Sequence, residues 1–252
     1  MKHAFDLSGK VAAVSGSTRG IGRSIALGLA EAGADVALLQ RSLSDTTPQE
    51  EIRQLGRKCE IIECDVENRQ QVRNAVPETI SRLGGLHIVV PCAGIQHRSP
   101  SVDFPEEDWD RVMQVNLKSV WLLCQQAGRH MVEQGYGKII TIGSVASFQG
   151  GFTVPAYAAA KGGIAQLTKA LANEWAGHNV NVNALVPGYI DTDMNTALVS
   201  NPTRSVQISE RIPAARWGTP DDVKGPAVFL ASDAAAYVHG HLLAVDGGWL
   251  GR

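Results

Sequence analysis

At 252 residues, with 44% hydrophobic and 19% charged residues and a net charge of −2, the chain has the size and balance of one large α/β domain spanning 1–252. That charge gives no footprint for nucleic acid, and no apolar run approaches the ~20 residues needed to span a bilayer. The opening MKHAFDLSGK lacks the apolar core of a secretory leader. Cys59, Cys64, Cys92 and Cys124 show no C-x-x-C spacing, and read as reduced thiols of a cytoplasmic protein without a metal site.

Along the chain, short apolar runs alternate with amphipathic stretches. KVAAVSG (10–16) precedes a helical stretch at 20–33; DVALLQ (35–40) precedes one at 48–58; CEIIECDV (59–66) precedes one at 68–84. LHIVVPCAG (86–94) precedes a long one at 105–135, GKIITIGS (137–144) a further one through YAAAK, VNVNALVPG (180–188) one at 220–232, and LLAVDGG (242–248) closes the series. Strands that read as continuous apolar runs are buried on both faces, so the alternation predicts a Rossmann-type doubly wound parallel sheet with about seven strands and helices on both faces. Pro77 inside 68–84 predicts a kink or a break. In such a sheet, ligands bind beyond the carboxyl ends of the strands, which here carry SGSTRGIG, LQRS, CDV, PCAG, IGSVAS and VPGYIDT.

Gly16, Gly20 and Gly22 lie between the first strand and first helix, spaced G-x-x-x-G-x-G. Glycines there let the backbone approach a pyrophosphate at a helix N-terminus, which points to nucleotide binding. Tyr157 and Lys161 stand one helical turn apart and so share a helix face. On its own, such a pair is ordinary helix decoration.

The whole set, in order, resembles the short-chain dehydrogenase/reductase family over essentially the full chain. SGSTRGIG resembles its cofactor loop, CDV its adenine contact, Asn116 its helix asparagine, Ser144, Tyr157 and Lys161 its catalytic residues, and VPGYIDT the segment beside the nicotinamide. The resemblance implies an NAD(P)-dependent alcohol/ketone oxidoreductase, a cytoplasmic homo-oligomer, tetrameric as family members are, acting on a small molecule. It implies cofactor contacts from Gly16, Ser17, Thr18, Arg19, Gly20, Ile21, Gly22, Gln40, Arg41, Asp65, Val66, Ala93, Gly94, Tyr157, Lys161, Pro187, Gly188, Ile190 and Thr192. One departure is plain: the family's Asn-Asn-Ala-Gly reads Pro91-Cys92-Ala93-Gly94, so the side-chain amides that help lock the sheet are missing.

Chemically, a carbonyl receiving hydride needs a proton on its oxygen, and tyrosine, with a pKa of about 10, is a poor base at neutral pH. The Lys161 ammonium and a positive nicotinamide ring together would lower it. Tyr157 is then the acid/base and Lys161 its support. The resemblance adds that Lys161 holds the nicotinamide ribose and that Asn116 holds a water linking Lys161 to solvent. Ser144 would hydrogen-bond the substrate oxygen. Gly162-Gly163 costs helix stability and implies close packing against another helix, within the chain or across a subunit interface.

An NAD enzyme usually ends its second strand with a carboxylate for the ribose; here Gln40 and Arg41 stand there, with Arg19 in the glycine loop. That favours NADP(H), with NAD(H) the alternative. SFQGG, NEWAGHN, RIPAARWG, VDGGWLGR and AGIQHRSP resemble stretches of family members acting on sugar acids, namely 2-deoxy-D-gluconate 3-dehydrogenases, gluconate 5-dehydrogenases and keto-uronate reductases. For a substrate carboxylate the candidates are His97, Arg98 and Arg204, with Gln149 for hydroxyls. His239 and His241 read as structural and Trp249 as core or interface. Two alternatives stay open: a 3-ketoacyl or general ketone reductase, and a non-catalytic NADP-binding regulator.

Overall fold

The computed structural model describes residues 4–252, so the first three residues of the opening stretch lie outside the description. Seven strands, β1 (Val11–Ser15), β2 (Asp35–Gln40), β3 (Cys59–Glu63), β4 (Ile88–Pro91), β5 (Gly137–Ile142), β6 (Val180–Pro187) and β7 (Leu242–Val245), form one sheet ordered β3-β2-β1-β4-β5-β6-β7. Every pairing is parallel. β1, β5 and β6 are buried at every position, as continuous apolar runs require. The order reverses between β1 and β4, so the switch-point crevice opens above Ser15 and Pro91.

Helices α1 (Gly20–Glu31), α2 (Thr47–Gln54), α3 (Arg69–Leu83), α4 (Glu106–Met113), α5 (Ser119–Gln134), α6 (Pro155–Trp175), α7 (Thr196–Val199), α8 (Pro202–Arg211) and α9 (Lys224–Ala231) surround it. Two apolar clusters fill the sheet's faces. One packs α1 and α9 through Ile25, Leu29, Ala227 and Leu230; the other packs α3, α5 and α6 through Val72, Leu123, Met131 and Ile164.

Two expectations about helices change. α3 runs unbroken through Pro77: the missing amide leaves the Arg73 carbonyl bare, but Arg73 and Pro77 share an exposed face, where water replaces the lost bond. The long helix expected at 105–135 is instead α4 and α5 joined by a π-helical turn at Gln114–Lys118. Nothing in its apolar spacing signals that turn, although π-turns cluster at functional sites. Gly163 faces Leu117 in it, and a Cβ at 163 would lie 2.9 Å from Leu117 Cδ2. Gly162 has nothing within 4 Å, so the chain's own packing explains one glycine of the pair.

All four cysteines are free, and burial pushes each thiol up to about 12. No helix among the described residues is long and apolar enough to cross a membrane, and no cluster of metal-ligating side chains occurs among them.

Candidate active site

The site is built outward from the crevice between β1 and β4. Gly16 turns the chain with φ at +66°, and a Cβ there would fall 2.8 Å from Ala93 Cα. A Cβ at Gly22 would meet the Gly16 carbonyl oxygen at 2.2 Å. The loop therefore folds onto itself and onto β4 only because both positions lack side chains. Ser15, the first residue of SGSTRGIG but not among the predicted contacts, fastens the turn that Pro91-Cys92 enters without side-chain amides. Its hydroxyl accepts the amides of Cys92 at 3.0 Å and Ala93 at 3.1 Å.

The residues present fit a dinucleotide phosphate. Ser17 is fully buried, yet its hydroxyl has no partner. The first turn of α1 has no side-chain cap, so orphan amides and an orphan hydroxyl face one place, as an anion site needs. Thr18 sits on the loop and Ile21 in the first turn of α1, with Thr192 Cγ2 3.5 Å from where a Gly20 Cβ would stand.

At the adenosine end, the outcome for the predicted residues is mixed. Gln40 is buried, and with its amide nitrogen facing them it donates to the Ser42 and Asp45 carbonyls, each at 3.2 Å. It holds its own loop and leaves no amide for a ribose. Arg41 is exposed, with no ion pair or hydrogen bond among the described residues. Arg19 turns instead to Asp193 at 3.2 Å, so it is not a second free cation beside Arg41. After β3, the Asp65 carboxylate accepts the Glu67 amide at 2.9 Å, and Val66 packs against the core. Past β6, Gly188 must be glycine because Asp246 Cα would lie 2.7 Å from its Cβ. Pro187 ends β6, and Ile190 is buried and bridges to Gly218.

Ser144, Tyr157 and Lys161 come together at the end of β5 and the start of α6. The Ser144 hydroxyl accepts the Ala146 amide at 3.1 Å, while Ser147 Oγ accepts the Ser144 amide and donates to the Lys161 carbonyl at 2.8 Å. Ser147 thus ties the serine's loop to the lysine's helix. Lys161 is buried; its Nζ donates to the Ile142 carbonyl at 2.6 Å and stands 5.6 Å from the centroid of the Tyr157 ring. Asn116 is fully buried, and its amide exchanges two hydrogen bonds with the Ile95 backbone, at 2.8 and 2.9 Å. Its side chain pins the chain after Ala93 and Gly94, so a bridging water would have to use its backbone.

The electrostatics differ from the expectation that Lys161 makes Tyr157 acidic. Burial raises the Tyr157 pKa above its ordinary 10, against hydrogen bonding toward Ser144 and the charge of Arg98, which lower it. Burial also depresses Lys161 to about 8, with Cys92 acting in the opposite direction. Arg98 is a further cation acting on Tyr157, beside the Lys161 Nζ near its ring.

Above these residues lies a cavity of about 290 Å³, walled by the loop after Ser144, the segment after β6, α8 and the C-terminal turn. Arg98, Arg204 and Gln149 line it; His97 does not. His97 pairs with Asp108 at 3.4 Å and packs edge-on against Phe104, which removes it from the substrate candidates. Arg204 donates to Gln207 at 2.8 Å. Trp249 is core, as expected, and also wall: buried beside Tyr189, it donates to Gln149 Oε1 at 2.9 Å. Arg211, which sequence reasoning missed, lines the cavity with its guanidinium 3.9 Å above the Trp249 ring. Its only signal was its place in the last turn of a helix. His239 contacts Asn181 at 3.2 Å, and the His241 amide donates to Asn183; both are structural.

A phosphate cradle at the switch point of a doubly wound sheet, facing a half-buried serine and tyrosine and a buried lysine, defines a dinucleotide-dependent oxidoreductase. The chain belongs to the short-chain dehydrogenase/reductase family: a family model described as enoyl-(acyl carrier protein) reductase matches residues 16–250. It is 50% identical, over 100% of both chains, to the 2-dehydro-3-deoxy-D-gluconate 5-dehydrogenase of Pseudoalteromonas atlantica. Among solved structures, it is similar to a gluconate 5-dehydrogenase from Burkholderia cenocepacia in complex with NADP and tartrate. That match has a TM-score of 0.95 and 41% identity, covering 99% of this chain and 98% of that one. A chain from Agrobacterium tumefaciens with bound NADP matches with TM-score 0.94 and 44% identity over 100% of both.

The depressed lysine sets a pH dependence. Between about 8 and its ordinary 10.5, Lys161 is protonated in the unfolded chain and neutral in the folded one. The unfolded state then binds more protons, so this group's contribution to stability rises with pH. The cysteines act oppositely, since their raised values make the folded state bind more protons above pH 9, but they are common to wild type and variant. Urea unfolding of the cofactor-free protein should therefore show wild type gaining relative to Lys161→Met from pH 8 to 10.5; parallel curves would contradict the burial assigned to this lysine.

Proposed function

We propose that this chain, read as one domain over 1–252, is an NADP(H)-dependent oxidoreductase moving hydride between the cofactor and the carbonyl or hydroxyl carbon of a sugar acid or keto-sugar acid. The carrying observation is the cavity's charge. Arg98, Arg204 and Arg211 line it, no Asp or Glu does, and none of the three has a carboxylate partner among the described residues. A 3-ketoacyl or simple ketone substrate would leave those cations unused, and a non-catalytic regulator would have no need of Ser144, Tyr157 and Lys161. The relatives' names and the NADP and tartrate of the Burkholderia structure support the same reading.

In this reading Gly16, Ser17, Gly20 and Gly22 would hold the pyrophosphate, Arg41 the 2′-phosphate, and Lys161 the nicotinamide ribose. The bound dinucleotide supplies or accepts the hydride. Tyr157 gives its phenolic proton to the carbonyl oxygen as it becomes hydroxyl, and takes one in the reverse direction. Ser144 donates to that oxygen as charge develops. A raised Tyr157 suits the donor role, and Arg98 together with the cofactor's positive ring favours phenolate when a base is needed. Asn116 keeps Ile95, and with it the Ala93-Gly94 turn, against the cofactor. We further read the protein as a cytoplasmic homo-oligomer, tetrameric as the family suggests. The open space over Gly162 and the exposure of Trp121 on α5 support a helical interface.

Tyr157→Phe removes only the ionisable oxygen, so folding and cofactor binding should persist while kcat falls by about 10²–10⁴-fold; near-normal turnover would take Tyr157 out of the mechanism. Arg41→Ala should weaken NADPH roughly tenfold, as loss of one charged hydrogen bond predicts, with NADH unchanged; equal effects by fluorescence titration would place Arg41 elsewhere. A panel of gluconates, keto-gluconates, keto-uronates and neutral ketones, run with both cofactors, tests the function itself. Acids should lead the panel, and Arg98→Met should raise KM for the acids alone. A panel led by neutral ketones would overturn the reading.

A further inference from the structure

Thr153 stands in the left-handed region at φ 61°, where a β-branched side chain meets its own backbone. Strain of this kind persists only where surrounding contacts hold it, and it concentrates at functional sites. Here the contact is plain: the Thr153 carbonyl accepts the Ser99 amide at 3.0 Å. That bond joins the loop between Ser144 and α6 to the chain that follows β4. Ser99 is the neighbour of Arg98, and Thr153 lies four residues before Tyr157, with Pro155 opening α6 between them. Arg98 lines the cavity, yet has no hydrogen bond or ion pair of its own among the described residues. Only its backbone fixes where the guanidinium stands.

We propose that Thr153 is a positioning residue for substrate selection: its left-handed backbone turns a carbonyl to Ser99 and so seats Arg98 in the cavity wall. The inference rests on the reading of Arg98 given above. A long cationic side chain without partners would otherwise sample solvent. With the neighbouring Ser99 tied to Thr153, the Arg98 backbone is held at the cavity wall, which narrows the space its guanidinium can sample and favours recognition of a carboxylate there.

The link can be cut from either side. Thr153→Pro forbids a positive φ and removes no backbone hydrogen bond, since the Thr153 amide has no partner among the described residues; the one bond it deletes, from the Thr153 hydroxyl to the Phe152 carbonyl at 2.6 Å, is deleted by Thr153→Gly as well. Ser99→Pro deletes the donor. Each should raise KM for the best acid of the panel at least about tenfold, as losing one charged contact does. KM for NADPH and for a neutral ketone should stay within about twofold. Thr153→Gly adopts the same backbone freely and should keep the wild-type KM. Added to Arg98→Met, either proline should raise KM no further, because both changes remove one function. Folded proline variants with wild-type KM, or effects that multiply with Arg98→Met, would overturn the proposal. So would variants that no longer fold, since the link would then serve the fold and not selection. An Arg98→Met enzyme that keeps its preference for acids sinks the reading of Arg98 itself; a normal Arg98→Met loss with silent proline variants sinks only the role of Thr153.

Discussion

The near contact between the ends of β1 and β4 is the constraint on which the site depends. Gly16 passes so close to Ala93 that a methyl group would not fit, and Ser15 fastens the same turn by accepting two of its amides. That contact closes the floor of the crevice at the switch point. It also fixes where the glycine loop delivers its amides and where the chain leaves β4 toward Ile95 and Arg98. Asn116 completes the brace from the other side by pairing with the Ile95 backbone. Two polar side chains, Ser15 and Asn116, thereby hold the turn after β4 from either side. A net gain of about 0.5–1.5 kcal/mol per hydrogen bond is modest, but the alternative is unsatisfied backbone in a buried turn, which costs more.

The electrostatics follow from burial. Tyr157 is half-buried and Lys161 buried, and in each the charged form loses: the phenol becomes harder to ionise and the ammonium easier to deprotonate. The lysine steadies its charge on the Ile142 carbonyl near the Tyr157 ring, and Arg98 adds a second cation that favours the phenolate. One arginine therefore stands where it can bias the acid/base group and meet an anionic substrate. The cavity's other cations sit farther along its wall, Arg211 braced on Trp249 and Arg204 on Gln207.

Much of this was legible beforehand because it rests on local chemistry. Continuous apolar runs separated by helical stretches give a parallel sheet, glycines between strand and helix give an anion cradle, and tyrosine and lysine one turn apart share a face whatever lies around them. The order of these pieces along the chain placed them at one end of the sheet. Hydride transfer with a proton relay came from the resemblance of the whole ordered set to the short-chain dehydrogenase/reductase family. The bracing role of Ser15, by contrast, is not marked within SGSTRGIG, and the place of Arg211 in the last turn of a helix does not say that it lines the cavity.

What only the tertiary structure decided is which polar groups are already spent. Gln40 holds its own loop, Arg19 answers Asp193, His97 answers Asp108, and the Asn116 amide belongs to Ile95. Each pairing joins residues far apart in the chain or depends on the path of a loop, so sequence spacing carries no trace of it. The same holds for the π-turn at Gln114–Lys118 and for the tie between Ser99 and Thr153. The sequence by itself determined the sheet, the cradle and the kind of reaction, because backbone geometry and side-chain chemistry act over a few residues. Burial and long-range pairing decided which cations remain free to meet a substrate, because those depend on the whole chain at once.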